Sequence, residues 1–123
     1  MTDFTIEQLD SIYIIRFTSA ATSLEVIKSL DELASLPDAN RRLWDITKGI
    51  NLSTSELQTV SLFAKHTLPV PAKIALVTAT SLDYGIARQH VAYRNQLHFE
   101  ESVFQNESDA IKWLQEPFKK PKS

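Results

Sequence analysis

The chain contains no cysteine, which excludes disulfides, iron–sulfur clusters and thiol nucleophiles and fits a reducing compartment. It has only two glycines, Gly49 and Gly85, too few for most phosphate-cradling or dinucleotide-binding loops. Long apolar runs are absent. The longest, such as Ile74 to Val77, are a few residues, so no stable membrane insertion is expected. Met1-Thr2-Asp3-Phe4 lacks the basic-then-apolar pattern of a signal peptide, and the expectation is a cytoplasmic protein. The formal net charge is -2, which supplies no global field to draw in nucleic acid or an anionic surface.

What is present suits one small globular domain. The 123 residues are 43% hydrophobic and 23% charged, enough to build a core without staples. Phe4-Thr5-Ile6-Glu7 alternates as a half-buried strand, and Asp10-Ser11 is a turn signal. Ile12 to Phe17 follows as a second strand, with Tyr13, Ile15 and Phe17 on one face and Arg16 on the other. These two strands predict an antiparallel hairpin.

The period then changes. Thr22 and Glu25 form a capping-box pair, Leu24, Ile27, Leu30 and Ala34 recur at helical spacing, and Pro37 marks the stop. Leu43-Trp44-Asp45-Ile46 reads as a third strand, followed by a Lys48-Gly49 turn. Ser53 and Glu56 make a second capping box, and Leu57, Val60, Ala64 and Leu68 form the next apolar stripe. Pro69 and Pro71 end that helix, and Lys73 to Thr78 reads as a central strand buried on both faces. Ser81 is placed to cap a third helix carrying Leu82, Ile86 and Tyr93. Phe99 to Phe104 is a fifth strand, and Asn106 caps a last helix with Ala110, Ile111 and Leu114. The order β-β-α-β-α-β-α-β-α predicts a single-domain α/β fold, with a mixed, mostly parallel sheet of about five strands and about four helices. The domain is expected over 1–116, with 117–123 as a basic tail carrying Lys119, Lys120 and Lys122. Tyr13, Ile15, Phe17, Leu43, Ile74, Leu76 and Leu114 are the expected core.

Three stretches in this order carry a resemblance to a known family. They are Leu43-Trp44-Asp45-Ile46, a strand ending in an acidic residue; Leu82-Asp83-Tyr84-Gly85-Ile86-Ala87-Arg88; and Ser108-Asp109-Ala110-Ile111-Lys112-Trp113-Leu114. Together they resemble the STAS fold, named for sulfate transporters and anti-sigma factor antagonists, and its uncharacterised bacterial branch in particular. Some members of that branch are grouped with lipid-transfer folds. The resemblance runs from about Phe4 to Leu114. In anti-sigma factor antagonists an Asp-Ser-Ser-Gly motif opens the second helix, and its first serine accepts phosphate. The matching stretch here is Ser53-Thr54-Ser55-Glu56, which places Thr54 at the acceptor position, with Ser53 for the aspartate and Glu56 for the glycine.

Each candidate residue has a plain reading beside the functional one. Ser53 satisfies a free N–H as an N-cap, and Thr54 is then an exposed first helical residue; alternatively Thr54 is a phosphoacceptor at a helix start that favours negative charge. Gly85, one turn into a helix, marks either close helix–sheet packing or a partner reaching exposed backbone, with Arg88 and Tyr84 nearby. His66, His90 and His98 show no zinc spacing, so no metal is expected. The adjacent pairs Asp31-Glu32 and Glu100-Glu101 cannot form acid/base dyads, because neighbours on a helix or strand do not face each other. No nucleophile elbow or phosphate loop is present, and no cofactor is expected.

The sequence thus points to a non-catalytic regulatory or protein-interaction module. Its candidate surface comprises Asp45, Ser53, Thr54, Ser55, Tyr84, Gly85 and Arg88. The partner is expected to be another protein, and a homodimer is also expected, in a family that often self-associates. The alternative is a binder of a small apolar or lipid-like ligand.

Overall fold

The computed structural model describes residues 4–68, 72–94 and 99–118, and side chains for all of these except 65, 89–94 and 99. Strands β1 (Phe4–Leu9) and β2 (Ile12–Phe17) pair antiparallel, with Leu9 opposite Ile12. The intervening two-residue turn needs positive φ, and Asp10 adopts it at 53°, as aspartate tolerates better than most residues.

After the hairpin come β3 (Ala21–Thr22), α1 (Ser23–Ala34), β4 (Arg41–Asp45), β5 (Ile50–Asn51), α2 (Thr54–Thr67), β6 (Ala72–Val77), α3 (Ser81–Arg94), β7 (Phe99–Phe104) and α4 (Glu107–Gln115). The main sheet has the order β1-β2-β4-β6-β7, and every pair after the hairpin is parallel. This is the mixed five-stranded sheet with four helices that the sequence predicts. The two-residue strands β3 and β5, which sequence reading does not anticipate, form a separate parallel pair. They are too short to show any alternation.

The seven expected core residues are all buried. One face of the sheet carries Tyr13, Ile15, Phe17, Trp44, Ile74 and Leu76 against Val26, Leu30 and Leu33 of α1, Val60 and Ala64 of α2, and Ala87 of α3. The other face packs Ile12, Ile14, Leu43, Ala75 and Val77 against Ala110 and Leu114 of α4. All six residues of β6 are buried, as a central strand covered on both sides requires.

Two helix faces differ from expectation. In α1 the buried residues are Glu25, Val26, Ser29, Leu30 and Leu33, while Leu24 is 62% exposed and Ala34 is exposed. Both stripes obey the helical period and share Leu30, so periodicity alone leaves the phase open. The polar residues in the true stripe each make a local hydrogen bond, although among the described residues Glu25 Oε2 accepts none. Thr22 Oγ1 donates to Glu25 Oε1 at 2.8 Å, and Ser29 Oγ donates to the Val26 carbonyl at 2.7 Å. In α3, Leu82 is 73% exposed and Ala87 is buried instead. Thr80, not Ser81, is the cap, since its Oγ1 accepts from the Asp83 amide at 3.1 Å. The Tyr93 side chain, Pro69, Pro71 and the three tail lysines lie outside the described residues.

The C-terminal end of α4 is held by two cations from the sheet. Arg41 Nη1 donates to the carbonyls of Leu114 and Glu116, and its guanidinium lies 4.6 Å from the centre of the Phe118 ring. Buried Lys73 donates to the Glu116 carbonyl at 3.1 Å and sits 4.5 Å from the Trp113 ring centre. Cations suit the negative end of a helix, and here they also fix the segment that follows it.

Candidate functional site

Strands β2, β4 and β6 run parallel, and each leads into a helix of the same layer, so α1, α2 and α3 all begin at one end of the molecule. Two of these starts are tied together. The β3–β5 pair brings the chain before α1 beside the chain before α2, and the Ala21 amide donates to the Gly49 carbonyl at 3.0 Å. Gly49 makes the turn into β5 with φ at 111°, a conformation that side chains rarely allow. Ser23 Oγ, on the first residue of α1, donates to Glu56 Oε2 at 2.8 Å.

The α2 start is the capping box expected from Ser53 and Glu56. Ser53 Oγ accepts from the Glu56 amide at 3.2 Å, and the Ser53 amide donates to Glu56 Oε1 at 2.9 Å. Both carboxylate oxygens of Glu56 are therefore occupied. The Ser53 amide first, and then the Ser23 hydroxyl, hold that carboxyl below its ordinary range. Ser53 and Ser55 place their hydroxyls 3.2 Å apart, and Thr54 is exposed as the first helical residue. Ser23, Ile27, Ser55, Glu56, Thr59 and Val60 line a shallow groove of about 150 Å³ between α1 and α2.

At the α3 start, Arg88 Nη1 donates to the Tyr84 hydroxyl at 3.4 Å, with its guanidinium 5.9 Å from that ring's centre. Gly85 overturns the close-packing reading. It is exposed, and a Cβ built on it meets no atom of the described residues within 4 Å beyond its own helical turn. Its backbone is open to approach from outside.

Asp45 does not join this group. It shares a sheet row with Arg16 on the α4 face, where Arg16 Nη1 lies 2.8 Å from Asp45 Oδ2 and 2.6 Å from Glu107 Oε1. Arg16 Nε also reaches Glu7 Oε1 at 3.3 Å. Glu107 holds the Arg16 guanidinium firmly protonated; burial works against this and Asp45 works with it. Asp45 Oδ1 accepts from the Thr47 hydroxyl at 2.6 Å and the Thr47 amide at 3.1 Å. Burial pushes the Asp45 carboxyl up, but the Thr47 bonds and then Arg16 outweigh it, and the net direction is down. Asp45 thus ends its strand, shapes the following turn and helps anchor α4.

Sequence reasoning missed the exposed leucines at the helix starts and the tie between Ser23 and Glu56. It also missed a buried arginine. Arg42, 1% exposed, shares with Phe17, Val26, Trp44, Val60 and Ala87 the wall of an apolar cavity of about 70 Å³ under the helical layer. A lipid-like ligand calls for roughly 300 Å³ or more, which this cavity among the described residues does not reach.

Among the described residues no three carboxylate, histidine or cysteine side chains converge as metal ligands. His66 is exposed, and the side chains of His90 and His98 lie outside the described residues. No described helix is long and apolar enough to cross a membrane. The order of the described strands never reverses from β2 to β7, so the sheet has no switch-point crevice of the kind in which open α/β sheets hold ligands.

No family model and no curated protein matches the sequence. Among solved structures, the chain is similar to an uncharacterised protein of the DUF3478 family with a SpoIIAA-like fold from Shewanella loihica PV-4. The two are 17% identical, with a TM-score of 0.60 over 90% of this chain and 91% of that one. That agreement over nearly the whole length shows that this chain has the SpoIIAA-like, STAS-like fold.

Proposed function

We propose that this protein is a non-catalytic interaction module that binds another protein through the end of the helical layer where α1, α2 and α3 begin. The observation that carries the reading is the exposure of Leu24 and Leu82. Each is the second residue of its helix, and they are 62% and 73% exposed. Large exposed apolar side chains on helix starts that share one end of a small domain are suited to a partner surface. The hydroxyls of Thr54 and Ser55 and the Tyr84–Arg88 pair supply the polar rim such surfaces need. Gly85 adds a stretch of helix where a partner backbone can come close.

In this reading Ser53 and Glu56 shape the surface, and Asp45 supports the fold from the opposite side. The partner is another protein or a second copy of this chain. The test is native mass spectrometry of the protein purified from its own cell, alongside a Leu24→Asp/Leu82→Asp variant that melts normally in urea. The expected result is a defined complex for the wild type that the variant loses. A wild type that stays monomeric and unliganded, or a variant that keeps the complex, would refute the reading.

A further inference from the structure

The main sheet ends at β1, and among the described residues this strand pairs only with β2. Its six residues match β2 one for one, from Phe4 opposite Phe17 to Leu9 opposite Ile12, so it has no bulge. It contains no proline and no lysine. Bulges, prolines and charges are the devices by which edge strands discourage pairing. The other edge has one of them: β7 carries adjacent carboxylates, Glu100 and Glu101, one to each face. The single charge on β1 is Glu7, whose Oε1 lies 3.3 Å from Arg16 Nε on the neighbouring strand.

Leu9 and Ile12 flank a two-residue turn, and such a pair exchanges both its backbone hydrogen bonds. Alternation then turns the N–H and C=O of Thr5, Glu7 and Leu9 toward β2 and those of Phe4, Ile6 and Gln8 outward. We infer that this outward row binds β1 of a second copy of the chain, antiparallel, about a two-fold axis that passes through Ile6 perpendicular to the sheet. The occupant follows from self-complementarity. Centred on Ile6, the two strands set Ile6 against Ile6 and Phe4 against Gln8, and every outward N–H and C=O of β1 finds a partner in about six hydrogen bonds. On the opposite face, Glu7 of one copy stands across from Thr5 of the other, a carboxylate facing a hydroxyl donor. A shift of two residues toward the turn puts Glu7 across from Glu7 and leaves Phe4 facing the turn, so charge and hydrogen bonding select the same register. The contact joins two five-stranded sheets into one, with both helical layers on the same side. It is separate from the helix starts that carry the proposed function. A contact one strand long is small for an interface, so the dimer is weak and concentration-dependent.

The experiment is sedimentation equilibrium of the full chain from about 1 μM to about 1 mM, with amide hydrogen exchange at both ends of that range. The mass should rise from the 13.9 kDa of one chain toward twice that value. The Ile6 and Gln8 amides should gain protection with concentration, while those of Glu7 and Leu9 are protected throughout. Thr5→Glu sets a carboxylate against Arg16 within the chain but against Glu7 of the other copy, so it should fold normally and weaken the dimer about fivefold or more. Thr5→Lys reverses the second of these pairings and should keep the dimer. Gln8→Pro removes one outward donor from each copy and should weaken it about tenfold. Leu24→Asp/Leu82→Asp should leave it intact, which separates this contact from the helix-start surface. A chain that stays monomeric at about 1 mM, a dimer equally stable in Thr5→Glu and Thr5→Lys, or one lost in Leu24→Asp/Leu82→Asp would overturn the inference.

Discussion

Replacing Gly85 by alanine should stabilise the protein. The position is the fifth residue of α3, exposed, with ordinary helical backbone. Glycine there costs about 1 kcal/mol relative to alanine, because the unfolded chain gives up more freedom and no side chain covers the helix. A methyl group would repay that cost only if it had room. It does, since beyond its own helical turn no atom of the described residues lies within 4 Å of the position it would take. With a urea dependence of roughly 1–3 kcal/mol per molar for a small domain, the midpoint should rise by about 0.3–1 M with unchanged slope. The melting temperature should rise by roughly 4 °C. The assay is paired urea and thermal melts of wild type and Gly85→Ala. A midpoint that stays put or falls would refute the reasoning, because it would mean that a neighbour occupies the space. The same variant separates folding from binding. If the open backbone at Gly85 receives a partner, Gly85→Ala should weaken the complex while strengthening the fold.

Ser53→Ala should cost about 1 kcal/mol by removing the cap on α2, whereas Thr54→Ala should leave the urea midpoint and partner binding nearly unchanged; loss of partner in Thr54→Asp with normal folding, or phosphate on Thr54 in the cell, would contradict the second half. Thr78→Val should stabilise by about 1 kcal/mol, because the buried Thr78 hydroxyl has no hydrogen-bond partner among the described residues, and the same melts would show it. The Asp45 and Glu56 carboxyls both sit below their ordinary values. Their contribution is therefore complete above the ordinary carboxylate range of about 4 and is lost as pH falls through the lower folded values. Urea melts between pH 5 and pH 2 should show that decline, and Asp45→Asn should flatten it; a slope unchanged by the substitution would count against the role given to Asp45.

The fold was largely legible because its signals are local and repeated. The hairpin, the Ser53–Glu56 box, the uniformly apolar β6 and the Asn106 cap each follow from a few adjacent residues, and the structure places each as expected. The phase of α1 was not legible. Leu24 fits the period as well as Val26 does, and the hydrogen bond from Thr22 to one oxygen of Glu25 helps the true stripe include a carboxylate. The α3 face failed for the same reason, with small Ala87 buried where a larger residue was expected. At the candidate site the residues of each helix start could be read singly. Their assembly at one end follows from the parallel order of β2, β4 and β6. The bond between Ser23 and Glu56 spans 33 residues and has no local trace. Arg42 was invisible for another reason: an arginine inside a strand ordinarily points to solvent.

The second face of the sheet depends on a single late segment. Ile12, Ile14, Leu43, Ala75 and Val77 come from three strands spread over the first two-thirds of the chain, yet their cover is Ala110 and Leu114 of α4. During synthesis the helical layer can assemble while this face is still bare. An emerging chain that has reached β7 therefore presents an apolar sheet surface to the ribosome exit and to any chaperone there, and remains open to misassociation until α4 clears the tunnel. Arg41 and Lys73 wait on that surface as two cations aimed at carbonyls not yet made. Docking of the last helix is then the step that covers this face, and it closes the smaller of the two core clusters at once.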